Sequence, residues 1–322
     1  MLYDEINVKD VVDSESALEF MKEATKLASS SELENIGQKL EEKNHLFYSI
    51  LNQKDIESMT DEDFSKVVGK IFSIRRKSKR LLKANGFENL RGKIVRLLYG
   101  KDSIELRFNN FVDSIENIEE KMRINFASEL LHFTDPQKYW LWTNWIWDPD
   151  ANTGSLPLVI QDNVDLLSDT NGAIYCKVGE AISYVNAVGH AKSFSSMGRG
   201  LFGTDVLLAS VYAVYMYTVF KVKLSQEFNR ILPELPELTQ RVLGVHNMEK
   251  YLVWLIISTK SGFRRIMWLS KGLMCPGNGI KCMNPGRSWI MILHIWIRLL
   301  NLMAVNPWAG VTSVHSVLAY VL

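Results

Sequence analysis

Through most of the first 250 positions apolar residues recur at three- and four-residue spacing, the period of helices that bury one face. Two helices are predicted over residues 14–53. Leu18, Phe20, Met21, Ala24, Leu27 and Ala28 form the first stripe, and after the serine break at 29–31 a second runs through Leu33, Ile36 and Leu40 and, beyond Lys43, Leu46 and Ile50. Thr60 before Asp61, Glu62 and Asp63 reads as an N-cap whose following acids oppose the positive end of a helix dipole. Phe64, Val67, Val68, Ile71 and Phe72 give that helix its apolar face, a basic run fills its C-terminal half, and Gly86 closes it. The pattern is helical again over 102–133 and stops at Asp135-Pro136, because the residue before proline avoids the helical region.

The pattern then changes. Tyr139, Trp140, Trp142, Trp145 and Trp147 crowd one short stretch, the turn-rich DPDANTG follows, and an apolar run returns over 156–160. Such aromatic density suits strands and predicts a β-hairpin. The tryptophans admit a base- or sugar-stacking surface as well as a packed hairpin, and packing is the preferred reading. Asp148, Asp150 and Asn152 imitate a calcium loop, but Gly154 comes one position late, Pro149 interrupts and Val159 replaces the terminal glutamate, so calcium is rejected. Residues 206–220 carry no charge. That run is short for a membrane span and fits a helix buried all round. Pro233 and Pro236 punctuate two short polar helices, and Gly244 is a stop.

Charge alters the picture where composition does not. A hydrophobic fraction of 47% and a net charge of +1 are unremarkable, yet residues 1–63 hold 16 acids against 6 bases, while 66–101 hold 12 bases against Glu88 alone. Arg75, Arg76, Lys77, Lys79, Arg80 and Lys83, followed by Arg91, Lys93, Arg96 and Lys101, form a candidate polyanion-binding patch that could neutralise several phosphates. The alternative is a solvated face, or one paired with the acidic first 63 residues. No zinc-ligand spacing, RNP-type strand or basic zipper accompanies the patch.

A second candidate is GRGLFGTD. Gly198, Arg199, Gly200, Gly203 and Thr204 would cradle an anion at the start of the next helix, with Ser196 and Asp205 beside them. The preceding residues are small and polar rather than a strand, so a dinucleotide fingerprint is not met and a turn is the default. Catalytic spacings are absent. The histidines are scattered, and Glu129 with His132, one helical turn apart, is the single conceivable acid/base couple, a structural histidine being the plainer reading. Cys275 and Cys282 lack a metal-site spacing, and neither metal nor cofactor is called for. Three cysteines and an acidic opening without an apolar run fit a reducing cytoplasm and no cleaved leader.

After Lys250 no acid occurs in the remaining 72 residues, which hold seven bases, five of nine tryptophans and five of twelve methionines. Three readings stand: a sequence foreign to the fold, such as a frameshifted C-terminus, a genuine basic tail, or a membrane-seeking segment weakened by Arg298 and broken by Pro307 and Gly310. Two stretches, FASELLHFTDPQKYWLWTNWIWD at 126–148 and EFNRILPELPELTQRVLGVH at 227–246, resemble uncharacterised bacterial proteins encoded near nitrogen-fixation genes. That resemblance implies genomic association and no mechanism.

The sequence therefore predicts a mainly α protein: a helical domain over 1–250 with one aromatic β-hairpin, and an anomalous tail over 251–322. The leading functional expectation is a non-enzymatic intracellular binding or accessory protein that contacts a nucleic acid or other polyanion through 75–101. The alternatives are an enzyme of unassigned reaction with an anion site at 198–205, and a peripheral membrane protein attached through the tail.

Overall fold

The computed structural model describes residues 11–191, 200–223 and 233–246, all within the unit Met1–Leu255. The acid-free tail, with Cys275, Cys282 and every reading attached to it, lies outside them. The described residues are mainly helical. In chain order the helices are α1 (Ser14–Leu27), α2 (Ser30–Leu51), α3 (Asp61–Gly69), α4 (Ser78–Asn85), α5 (Phe87–Tyr99), α6 (Ile104–Ser114), α7 (Glu120–Thr134), α8 (Asn171–Ala191), α9 (Gly203–Lys223) and α10 (Leu235–Val242).

Local signals set several boundaries. Ser29 and Glu32 form a capping box at the start of α2, and Thr60 with Asp63 forms another at α3, so two otherwise unpaired backbone N–H groups are satisfied at each end. Ser103 caps α6. α9 is buried along nearly its whole first half, from Val206 through Val214, and serves as a core helix. α1 and α10 pack on α9, α10 also reaches α2, and α6 lies between α5, α7 and α8.

Two predicted helices are each broken in two. The helix expected over 61–86 ends at Gly69, and 71–77 continue as tight turns in which Ile74 N–H donates to the Ile71 carbonyl and Lys77 N–H to that of Ile74. The turns bury Ile71 and Ile74 but point Phe72 outward, 45% exposed, although periodicity placed it on the apolar face. The basic run thus lies partly on turns and partly on α4. The stretch 102–133 is interrupted between α6 and α7, where Asn117 adopts φ 63°, a left-handed conformation that asparagine tolerates.

The aromatic β-hairpin is not formed. Among the described residues the only β contacts are isolated bridges, Val12 with Ile160 and Asp148 with Thr153. The reason is visible in the partners of the aromatic backbone. Three polar side chains of α7 hold it: Asn125 Oδ1 accepts from Asn144 N–H (3.2 Å), Ser128 Oγ accepts from Trp142 N–H (2.6 Å), and His132 Nδ1 donates to the Tyr139 carbonyl (2.8 Å). A segment pinned to a helix has no free edge to offer a strand. Its burial pattern agrees, since Leu141, Trp142 and Thr143 are buried consecutively and a strand with one core face would alternate. The chain does reverse at 148–154, with Leu156 N–H donating to the Ile146 carbonyl, but Pro157 turns the return run into a 3₁₀ turn over Leu156–Leu158.

α8 meets α6 closely at Gly172, whose N–H donates to Asn109 Oδ1 at 2.7 Å. A Cβ there would stand 2.1 Å from the Glu105 carbonyl oxygen, which belongs to the backbone and cannot step aside. Gly172→Ala is expected to lower the unfolding free energy by about 1–3 kcal/mol in urea titrations. Gly37→Ala, in the middle of α2 with nothing within 4 Å of the added methyl, should instead raise it by roughly 0.5–1 kcal/mol. Equal effects at the two positions would contradict the close approach.

Candidate functional site

The basic patch divides once its side chains are placed. Lys93 is buried and spends its ammonium on Asn85 Oδ1 and the Ser114 carbonyl, so it belongs to the scaffold. Arg91 pairs with Glu88, and Lys77 with Glu119. Arg76, Lys79, Arg80, Lys83 and Arg96 are exposed and meet no carboxylate among the described residues. None of the cations of 75–101 pairs with an acid of 11–63 there, so the internal neutralisation that the sequence allows is not seen among those residues.

Arg75 and Arg76 reach beyond α4. Together with Phe72 they line a cavity of about 700 Å³ whose lining also includes Trp145, from the pinned aromatic segment, and Tyr212 and Tyr215 of α9. The Trp145 and Tyr212 rings have centroids 6.2 Å apart at 53°, and the Arg75 guanidinium lies 4.8 Å from the Phe72 ring centre, within cation–π range. Asp148 also borders the cavity, but both its oxygens accept from Lys121 Nζ at 2.7 Å, and Asp150 lies 2.9 Å from the same ammonium. Two of the sequence's separate candidates, the basic run and the tryptophan cluster, therefore share one cavity.

Of the glycine loop, Gly198, Arg199 and Ser196 lie outside the described residues. Gly200 has φ 137°, and a Cβ on it would come 3.2 Å from Glu41 Oε1. Gly203 opens α9, Thr204 Oγ1 bonds Asn186 Oδ1 at 2.7 Å, and Asp205 is buried in the first turn. Two carboxylates, those of Glu41 and Asp205, thus already stand at this helix end.

Asp205 leads to a charged cluster that sequence reasoning missed. Lys43 Nζ donates to Glu129 Oε2 at 2.7 Å and to the Leu243 carbonyl at 2.9 Å, and its ammonium sits 3.9 Å from the Phe133 ring centre. His132 Nε2 lies 3.2 Å from Asp205 Oδ1, close enough for an ion pair but outside hydrogen-bond geometry, and its ring stands edge-on to Phe133 and Phe202. Glu129 and His132 are therefore not each other's partner. All four side chains are at most 6% exposed, which leaves no surface for a substrate and makes the cluster a structural junction of α2, α7, α9 and α10. Gly244, at φ 73°, turns the chain after α10 where a Cβ would strike the Lys70 carbonyl and crowd Lys43 Nζ. A signal did exist: Lys43 continues the apolar stripe Ile36, Leu40, Phe47, an improbable place for an unpaired lysine.

The charges respond to burial. Burial pulls the Lys43 ammonium below the usual lysine range against the attraction of Glu129 and Asp205, and pushes the Glu129 carboxyl up against the attraction of Lys43 and His132. For His132 burial lowers the value, but Asp205 and the Tyr139 carbonyl outweigh it and the imidazolium is favoured. Lys70, buried beside Lys43, is pulled down to about 8.

Comparison with known proteins gives no match: no family model, curated protein or solved structure corresponds to this chain.

Removing one member of a buried pair strands the other charge. Lys43→Met or Glu129→Leu alone should each cost about 3–5 kcal/mol by chemical denaturation, whereas the double variant should come within about 1 kcal/mol of the parent or exceed it. A double variant as unstable as the singles would show that the pair itself supplies the stability.

His132 also imposes a pH dependence. Below about pH 6.5 the ring is protonated folded or unfolded and its contribution is whole. As the pH rises toward the raised folded value, the unfolded chain releases its proton first, and stability falls by up to about 1.4 kcal/mol per pH unit. Lys70 acts oppositely between about 8 and 10.5, where the unfolded chain binds more protons. Melting temperatures of the parent and His132→Gln should therefore converge as pH rises from 6.5 to 8; a constant difference would mean that His132 does not titrate there.

Proposed function

We propose that the protein is a non-enzymatic binding or accessory protein that contacts a polyanion through 75–101. The observation that carries this reading is the group Arg76, Lys79, Arg80, Lys83 and Arg96, exposed and without a carboxylate partner among the described residues, in a segment whose one acid, Glu88, is taken by Arg91. Like charges held together on a surface repel one another, and phosphates that replace condensed counterions relieve that repulsion. The enzyme reading draws no comparable support, because the buried acid/base residues are paired inside the core. The membrane reading rests on the tail sequence alone, and no helix among the described residues is long and apolar enough to cross a membrane.

Simultaneous charge reversal of Arg76, Lys79, Arg80 and Lys83 to Glu tests the proposal. Binding of the full chain to heparin or a nucleic acid should weaken steeply, and the slope of log K against log salt should shrink by about three, near 0.7–0.9 per lost phosphate contact. The helical circular-dichroism signal should persist, since these side chains are exposed. Undiminished binding would assign polyanion affinity elsewhere, the seven bases of the tail being the first suspects.

A further inference from the structure

We propose that the cavity beside the basic segment is a stacking site for unpaired bases, so that the polyanion is a single-stranded nucleic acid. This rests on the polyanion reading above and goes beyond it by naming what the cavity holds. Trp145, Tyr212 and Tyr215 in the cavity lining are half-buried, which holds the rings yet leaves part of their surface open, and Phe72 of the same lining is exposed. Exposing large aromatic surface to water costs free energy, and the tight turns at 71–77 expose Phe72 while burying Ile71 and Ile74 on either side. Such rings receive bases of any identity, because every base has a π-face.

The arginines decide between occupants. Arg75 and Arg76 belong to the cavity and to the basic run at once, so a ligand whose flat groups enter the cavity places its anionic groups against guanidinium. The acid in the lining, Asp148, is held with Asp150 on Lys121, and the two arginines outweigh the single negative charge left over by that group. An uncharged sugar would use the rings and leave the arginines without a role. A free nucleotide would fill the cavity, whose 700 Å³ lies within the usual range for small-ligand sites, but would leave Lys79, Arg80 and Lys83 idle. Those residues extend the positive line along α4, eight residues and about 12 Å, as a strand continuing past the cavity requires. In a duplex the bases are stacked and paired, so their faces cannot reach these rings without being extruded.

The test varies the ligand before the protein. At one fixed low salt concentration, the full chain is titrated with a fluorescent oligothymidylate and with an abasic deoxyribose-phosphate strand of equal length and charge. The base-bearing strand should bind at least tenfold more tightly, the effect expected for one or two stacked bases. The double variant Trp145→Ala with Tyr212→Ala, checked for its helical signal, should lose that difference and retain the affinity for the abasic strand. Equal affinities of the parent for both strands would overturn the stacking site while the polyanion reading stood. Failure to bind either strand or heparin would overturn both. Tight binding of free thymidine monophosphate, unimproved by added nucleotides, would overturn the strand in favour of a small-molecule site.

Discussion

α7 is buried on every side from Phe126 to Thr134, and that burial makes an unpaired polar group there costly, so that most of its polar side chains bond inside the protein, Thr134 Oγ1 being an exception. Ser128 and His132, with Asn125 one turn earlier, meet the requirement by bonding the backbone of the aromatic segment that follows. The same bonds fix that segment antiparallel to the helix and bring Trp145 to the cavity wall. Glu129 meets the requirement through Lys43, and Lys43 in turn takes the last carbonyl beyond α10, where the negative end of a helix dipole favours a cation. One helix thus sets the positions of α2, α10 and the aromatic wall.

The charged junction follows from that constraint and is not a general gain in stability. Desolvating Lys43 and Glu129 costs several kcal/mol per ion, and their attraction roughly cancels the cost when geometry is good. What the pair secures is register: a slipped α2 or α10 would leave a buried charge alone. His132 adds the same discipline to α9 through Asp205. An acid at the start of α9 therefore faces inward, where the glycine loop alone would have suggested a place for an external anion.

Local rules in the sequence were a sound guide to local structure. The Thr60 cap placed the start of α3, apolar periodicity and the serine break marked α1 and α2, the uncharged run over 206–220 marked the core helix α9, and Gly244 ends the helical run after α10. What failed depended on partners distant in sequence. The aromatic density over 139–147 suited a strand, but its backbone is satisfied by helix side chains, which no propensity records. Phe72 fits an apolar stripe and faces outward because the helix ends three residues before it. Of the candidate site, the cations were legible by counting, and their division into Lys93 inside and Arg76, Lys79, Arg80 and Lys83 outside was not. The meeting of Arg75 with Trp145 and Tyr212 needed the tertiary fold, since nothing in sequence relates residues so far apart.

The protein treats its two groups of charges in opposite ways, and the contrast bears on function. Inside, cations are matched to carboxylates or carbonyls at hydrogen-bond distance, including Lys43 and the cation Lys93 that belongs by sequence to the basic run. Outside, Arg76, Lys79, Arg80 and Lys83 meet no carboxylate among the described residues although acids are plentiful elsewhere in the chain, and of the run 76–83 Lys77 alone is paired there, with Glu119. A surface shaped only for solubility has no need to concentrate one sign of charge beside exposed aromatic rings, since mixed charges serve as well. Arg75 joins the two features: its guanidinium rests over Phe72 and keeps that ring beside a positive charge at the cavity edge. An aromatic ring next to a cation without a carboxylate partner is complementary to a planar group carried on an anionic chain, and here that pair continues into the exposed cations of α4.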